Sequence, residues 1–280
     1  MLFLRPFNEK ITWIQGVVPE EAWMVFRSRW RMWMWEAFEF FTLKYSAFIF
    51  FVSDRMLDHY KNKYSYSKDN YFIMPCFNKQ LNHSSFEVTG KYTRPTFVYA
   101  GKMSKWQCIE RTLGVFKIIE SEIPSAHLSL LTSDREEAFR LLAKYRIKNA
   151  EVKFCSLNDI DIELSKFKYG FILREDDIVN RVATPTKMST YLANGVIPVY
   201  TDVIDDFKEP FNNINNKIEL SSGLSVEEIA RIVIEFENRQ INHQLIKDEY
   251  GHLFATYFNR KKYMNAMQAE ILKLEEKFTT

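Results

Sequence analysis

The stretch FILREDDIVNRVATPTKMSTYLANGVIPVY, residues 171–200, sets a charged, hydrogen-bonding segment and one short helix between two apolar strands. The flanking runs YGFIL (Tyr169 to Leu173) and VIPVY (Val196 to Tyr200) are short and rich in β-branched or aromatic residues, as buried strands are. Between them Thr184 fits an N-cap, Pro185 fits a first helical position where a missing N–H costs little, and Gly195 fits the stop. The amides of Thr186, Lys187 and Met188 would then face out from the carboxyl edge of a sheet, where the helix dipole and the Lys187 charge favour an anion. A packed core does not need that arrangement, whereas a phosphate-bearing ligand does. The plainer alternative is a capped helix whose Lys187 points into water.

Further apolar runs recur at FVYA (Phe97 to Ala100), HLSLLT (His127 to Thr132), EVKFC (Glu151 to Cys155) and KIEL (Lys217 to Leu220). Helical patterns near Lys105 to Glu120, Arg135 to Tyr145 and Asp159 to Phe167, with barely a turn at Asp205 to Phe207, separate the strands. This alternation predicts βαβ units, and the fold class is α/β: a Rossmann-like doubly wound parallel sheet over residues 93–258. Ser225 and Glu228 make a capping box at the head of SVEEIARIVIEFENR. Residues 259–280 form a carboxyl-terminal helix expected to pack back on the amino-terminal part. Residues 1–92 predict one long helix, a strand SAFIFFVS, a helix MLDHYKNKY and a strand YFIMP. They are the partial second α/β domain, with too few βα units to make a sheet.

Against 38 basic residues stand 36 acidic ones, and a formal charge of +2 argues against a dedicated nucleic-acid surface. Cys76, Cys108 and Cys155 are odd in number and far apart, so neither a disulfide framework nor a zinc site is expected, and a reducing, cytoplasmic setting is. The opening MLFLRPFNEK lacks the features of a secretory signal. Glu39 and Lys44 interrupt AFEFFTLKYSAFIFFV, which falls short of the roughly 20 apolar residues of a membrane span. Upstream, Trp23, Phe26, Trp30, Trp33, Ala37, Phe40 and Phe41 make a helical stripe with Arg27, Arg29 and Arg31 mostly off it. The stripe reads first as interior packing and second as a face lying on an anionic membrane surface. No GxGxxG, GxxxxGK[ST], HExxH or GxSxG occurs, and the five histidines show no ligand spacing.

Two more clusters belong to the carboxyl edge. Gly101 follows FVYA, where a missing side chain lets a ligand approach, and Lys102 and Lys105 could reach a phosphate. A glycine turn with two solvated lysines is the alternative. Arg174, Glu175 and Asp176 follow YGFIL and suit sugar hydroxyls and phosphate, or equally a solvated loop. Asn180 and Arg181 add donors.

The order VYAGKMSKWQ, YGFILRED, NRVATPTKMSTYLANGVIPV resembles the donor-binding half of group 1, family four, GT-B glycosyltransferases, especially those of bacterial surface-polysaccharide clusters. IQGVVPEEAW, FVSDRMLDHY and FIMPCFN resemble the end of their amino-terminal half. The resemblance implies transfer from a nucleotide-diphosphate sugar to a glycan or lipid-linked acceptor, usually with retention, with no separate cofactor and no essential metal. It implies that Lys102 and Lys105 neutralise the diphosphate, that Gly101 leaves room for it, and that Pro185, Thr186 and Lys187 form the helix start near phosphates and sugar. The stretch KFCSL, with Phe154 and Ser156, falls where the family holds the base. Two departures stand out. Val182 and Thr190 occupy positions where many members carry two glutamates, the second of which, at Thr190 here, commonly binds ribose. The acceptor half, with its catalytic histidine, would precede Ile14, so the catalytic residues are unassigned and a truncated product, a fragment or half of a split enzyme is implied. A nucleotide-sugar 2-epimerase and a non-catalytic nucleotide-binding subunit are the rival readings.

Overall fold

The structure, a computed structural model, describes residues 10–279. The chain begins β1 (Ile11–Ile14), α1 (Val18–Phe26), α2 (Arg29–Tyr45), β2 (Phe48–Phe51), α3 (Asp54–Tyr64), β3 (Tyr71–Ile73). These strands form a parallel sheet in the order β1-β2-β3, so the first part does make a sheet, contrary to expectation. The reason is β1: ITWI is only four residues long and alternates exposed with half-buried positions, giving an edge strand little apolar signal. β2 lies between the other two and all four of its residues are buried, which is why FIFF reads as one continuous apolar run.

The expected single long helix is two. Arg27 is left-handed at φ 50°, and the Ser28 side chain then accepts from the Arg31 N–H, capping α2. The interior reading of the aromatic stripe is also overturned, because Trp30 and Trp33 are 68% and 67% exposed. What turns inward on α2 is Leu43, which joins the core of the first sheet, and Glu39, which accepts from Tyr60 Oη at 2.8 Å, Tyr64 Oη at 2.7 Å and Lys63 Nζ at 3.2 Å. A polar anchor thus sets the helix face, leaving the aromatic residues outside.

The chain continues β4 (Thr96–Ala100), α4 (Ile109–Glu122), β5 (His127–Leu131), α5 (Arg135–Lys144), β6 (Ala150–Lys153), α6 (Ile160–Leu164), β7 (Tyr169–Ile172), α7 (Ile178–Arg181), α8 (Thr186–Ala193), β8 (Ile197–Thr201), β9 (Ile218–Leu220), α9 (Val226–Glu237), α10 (His243–Thr256), α11 (Arg260–Thr279). Its six strands are all parallel in the order β6-β5-β4-β7-β8-β9. The chain runs outward from β4 to β6, then returns to β4's other side to lay down β7, β8 and β9. Between β4 and β7 the flanking loops diverge, opening the crevice at which doubly wound sheets bind ligands. Phe97 stacks on Tyr169 at 4.9 Å beneath it. A Cβ on Gly170 would lie 2.4 Å from the Tyr191 ring, so this glycine lets α8 settle against β7.

Direct bonds fix the two sheets to each other. Ser53 Oγ donates to the Val182 carbonyl at 2.7 Å, and Arg55 pairs with Asp205 at 2.7 Å. Val179 and Val182 complete the core of the first sheet. Tyr263 on α11 lies against Phe72 and Phe77.

Candidate active site

A cavity of about 550 Å³ opens beyond the carboxyl ends of β4, β5 and β7. Of the residues singled out in the sequence, Gly101, Lys102, Phe154, Arg174, Pro185, Thr186, Lys187 and Thr190 line it. Lys105, Ser156 and Glu175 do not. Lys105 begins a 3-10 turn that leaves it exposed and gives the cavity Trp106 and Gln107 instead. Ser156 Oγ is occupied, donating to Asp159 Oδ2 at 2.6 Å. Glu175 is exposed, and Asp176 forms an exposed pair with Arg181.

The start of α8 differs from the expected cap. Pro185 is the N-cap and has no side-chain bond to give, while Thr184 Oγ1 accepts from the Cys76 N–H at 2.8 Å. Thr184 therefore ties the helix start to the first sheet. The Met188 N–H reaches the Pro185 carbonyl at 3.0 Å, so it is not free for an anion. Thr186 and Lys187 head the helix, where amides have no carbonyl inside the helix to meet. At the far end Gly195 takes φ 65°, the left-handed stop expected of it.

Arg174 and Lys187 dominate the electrostatics. Arg174 is 5% exposed; its Nη1 donates to the Trp106 carbonyl at 2.6 Å, while its buried Nε has no acceptor among the described residues. Lys187 Nζ sits 3.9 Å from the Tyr99 ring centroid and donates to Gln107 Oε1 at 3.0 Å. Neither has a carboxylate partner among the described residues. Burial pushes both below their ordinary pKa values, and for Lys187 the Arg174 charge adds to the effect. Two unpaired cations in one desolvated place are costly unless an anion enters. Gly101 takes φ 143°, a backbone conformation that side-chain-bearing residues rarely adopt, and this places it against Lys187 at the strand end, where a Cβ would stand in ordinary contact with Nζ at 3.4 Å.

The remaining walls went unread in the sequence. Thr132 and Ser133 follow β5, where the carboxyl-edge rule would have found them. Asn78 and Lys79 come from the segment joining the sheets, and Lys79 pairs with Asp161 at 2.8 Å. Gln15, Gly16 and Glu21 close the cavity from the first sheet, so the amino-terminal part contributes directly. Thr190 Oγ1 lies 2.9 Å from the Thr186 carbonyl and 3.1 Å from Asn78 Oδ1. Among the described residues no histidine lines the cavity, and no three His, Cys, Asp or Glu side chains converge as a metal site requires.

This architecture recurs in solved structures. A mutant of TarM from S. aureus, in complex with Fondaparinux, alpha-GlcNAc-glycerol and UDP, aligns over 95% of this chain and 50% of its own, at 11% identity and TM-score 0.67. The fold is that of the GT-B glycosyltransferases. WaaG, a glycosyltransferase involved in lipopolysaccharide biosynthesis, aligns over 88% of this chain and 70% of its own, at 12% identity and TM-score 0.69. Sucrose-phosphate synthase from Thermosynechococcus elongatus aligns over 95% and 68%, at 10% identity and TM-score 0.69. The chain thus spans half the length of TarM. No family model and no curated protein sequence matches it.

Proposed function

We propose that this cavity binds a nucleotide-diphosphate sugar and that the chain takes part in transferring the sugar to a glycan or lipid-linked acceptor in surface-polysaccharide assembly. The observation that carries the reading is the meeting of Arg174, which is buried, with Lys187, which is half-buried, neither with a carboxylate among the described residues, at the crevice where the loops after β4 and β7 diverge. A diphosphate is the complementary charge. In transfer the leaving nucleoside diphosphate gains negative charge, and pre-placed cations with the Thr186 and Lys187 amides would stabilise it without reorganising. Lys102, exposed at the rim, adds a third cation, and Phe154, 67% exposed at the mouth, offers a flat face to the base. Thr190 and Asn78 supply hydrogen-bonding groups where a ribose glutamate is lacking. The donor is the only nucleotide this reading needs, and the phosphate charge is met by side chains, with retention as the proposed stereochemistry.

The fold likeness and the UDP held by TarM support the donor class. Because the chain spans half of TarM, transfer by this chain alone, or together with a subunit supplying a further half, is part of the proposal. The 2-epimerase reading calls for acid–base histidines, which the cavity lining lacks among the described residues. The test is calorimetric titration with UDP, GDP, their sugars and the parent nucleosides. Diphosphates should bind far more tightly than nucleosides, and no binding at millimolar concentration would sink the donor reading.

We also propose a cytoplasmic protein seated on an anionic membrane face. Trp30, Trp33 and Phe41 are exposed on α2 beside exposed Arg27, Arg29 and Arg31, while the acidic Glu39 is buried, the charge pattern of an interfacial helix. Among the described residues no helix is long and apolar enough to cross a membrane.

A further inference from the structure

A second hollow, of about 450 Å³, lies on the first sheet and shares Gln15, Gly16 and Glu21 with the cation-lined cavity. The two therefore adjoin at the end of β1, with these residues between them. Trp13 on β1 and Trp35 and Phe38 on α2 give the hollow flat apolar walls, and the Trp35 and Phe38 rings are tilted at 5.8 Å. No lysine or arginine lines it among the described residues. The first cavity is built for phosphate, whereas the second is aromatic and acidic, and so repels phosphate.

Its two carboxylates are not equivalent. Glu39 is saturated, with Tyr60 on one oxygen and Tyr64 and Lys63 on the other. Glu21 has no side-chain hydrogen-bond partner among the described residues, although it stands at the junction of the two hollows. Its Oε1 rests over Gly16, where a Cβ would lie only 2.3 Å away, so a side chain at residue 16 would displace the carboxyl group. Burial, with the Glu20 and Glu39 charges nearby, raises the Glu21 pKa. Flat aromatic rings accept the C–H face of a pyranose, and a free carboxylate orients its hydroxyls.

We propose that this hollow is the acceptor subsite: a neutral pyranose ring lies against Trp13, Trp35 and Phe38 and presents one hydroxyl to Glu21 at the mouth of the donor cavity. The assignment rests on the donor reading for its meaning, but not for its test. Glu21 is a positioning residue that accepts a hydrogen bond, and no proton transfer to it is required.

Six tryptophans distribute themselves so that one experiment separates the readings. Trp106 lines the donor cavity, Trp13 and Trp35 line the second hollow, and Trp30 and Trp33 line neither. In a ¹⁵N-labelled sample of the full chain, with indole signals assigned by single Trp→Phe substitutions, UDP should shift the Trp106 signal. Glucose, galactose or N-acetylglucosamine, added at millimolar concentrations with UDP present, should shift Trp13 and Trp35 and leave Trp30 and Trp33 in place. Glu21→Gln should weaken that sugar response at least tenfold, and Phe38→Ala, at a residue that lines the second hollow and not the first cavity, should do the same while leaving the UDP response within twofold. If Trp106 responds to UDP but Trp13 and Trp35 respond to no sugar, the subsite assignment fails and the donor reading stands. If Trp106 is silent while the sugars move Trp13 and Trp35, the donor reading fails alone. If Trp13 and Trp35 respond only to anionic vesicles, together with Trp30 and Trp33, the hollow belongs to a membrane face and the subsite assignment is overturned.

Discussion

Replacing Lys187 by methionine should make the ligand-free protein more stable and the ligand complex weaker. The Lys187→Met side chain keeps much of the apolar stem and removes the charge. Lost with it are a desolvated cation–π contact to Tyr99, worth about 2 kcal/mol, and a hydrogen bond to Gln107, worth about 1 kcal/mol. Relieved is the burial of an ammonium next to Arg174, an effective penalty of several kcal/mol. The net expectation is a gain of roughly 1–3 kcal/mol, with melting raised by roughly 2–4 °C per kcal/mol in a chain of this size. Its pH dependence has a definite sign. The folded pKa lies well below the ordinary 10.5, so on lowering the pH the unfolded chain takes up its proton first and the wild type loses stability. The advantage of Lys187→Met should therefore grow as pH falls below 10.5 and level off below the folded pKa. Calorimetry should show the opposite effect on binding: a loss of about 2–5 kcal/mol for UDP, roughly 30-fold or more, with uridine affinity unchanged. A variant that melts lower and binds UDP as tightly as the wild type would refute the reasoning.

Three further outcomes follow from the packing and the charges. Gly170→Ala should cost about 1–3 kcal/mol in urea unfolding, since the new methyl meets the Tyr191 ring; an unchanged midpoint would show that α8 moves freely. Asp206, buried and bonded by Tyr257, has its pKa raised to about 6 from 3.8. Its contribution to stability is full below 3.8 and lost as pH rises through 6. Asp206→Asn should thus gain on the wild type by up to about 3 kcal/mol between pH 4 and pH 7, measured by urea unfolding, and parallel curves would contradict this. Sedimentation with anionic vesicles should pull down the protein, less so at high salt, and Arg29→Ala with Arg31→Ala should weaken it by about 2 kcal/mol. Equal binding to neutral vesicles would remove the electrostatic role of that face.

Most of the six-stranded sheet could be read from the chain because each strand is short, apolar and bounded by an amphipathic helix. Residues 171–200 also disclosed the cation at α8 and the glycine stop. The first sheet was harder: ITWI alternates weakly, and the break at Arg27 rests on one left-handed residue inside an otherwise helical pattern. The α2 aromatic stripe was misread for a related reason. Periodicity shows that Trp30, Trp33 and Phe41 share a face but not which way it points, and the buried contacts of Glu39 decide that. Lys105 and Ser156 follow strands that do face the cavity, yet a 3-10 turn and a local bond to Asp159 turn them elsewhere.

By itself, then, the sequence determined the periodic features: a parallel α/β sheet, its carboxyl-edge loops, and a Pro-headed, Gly-stopped helix carrying a lysine. These depend on residues near one another in the chain. The strand order β6-β5-β4-β7-β8-β9, the meeting of Arg174 with Lys187, and the arrival of Gln15, Gly16 and Glu21 at the same cavity were decided only by tertiary structure. Each joins segments distant in the chain, and the energy that fixes them, burial of apolar surface against the cost of unpaired charge, exists only once those segments are packed together.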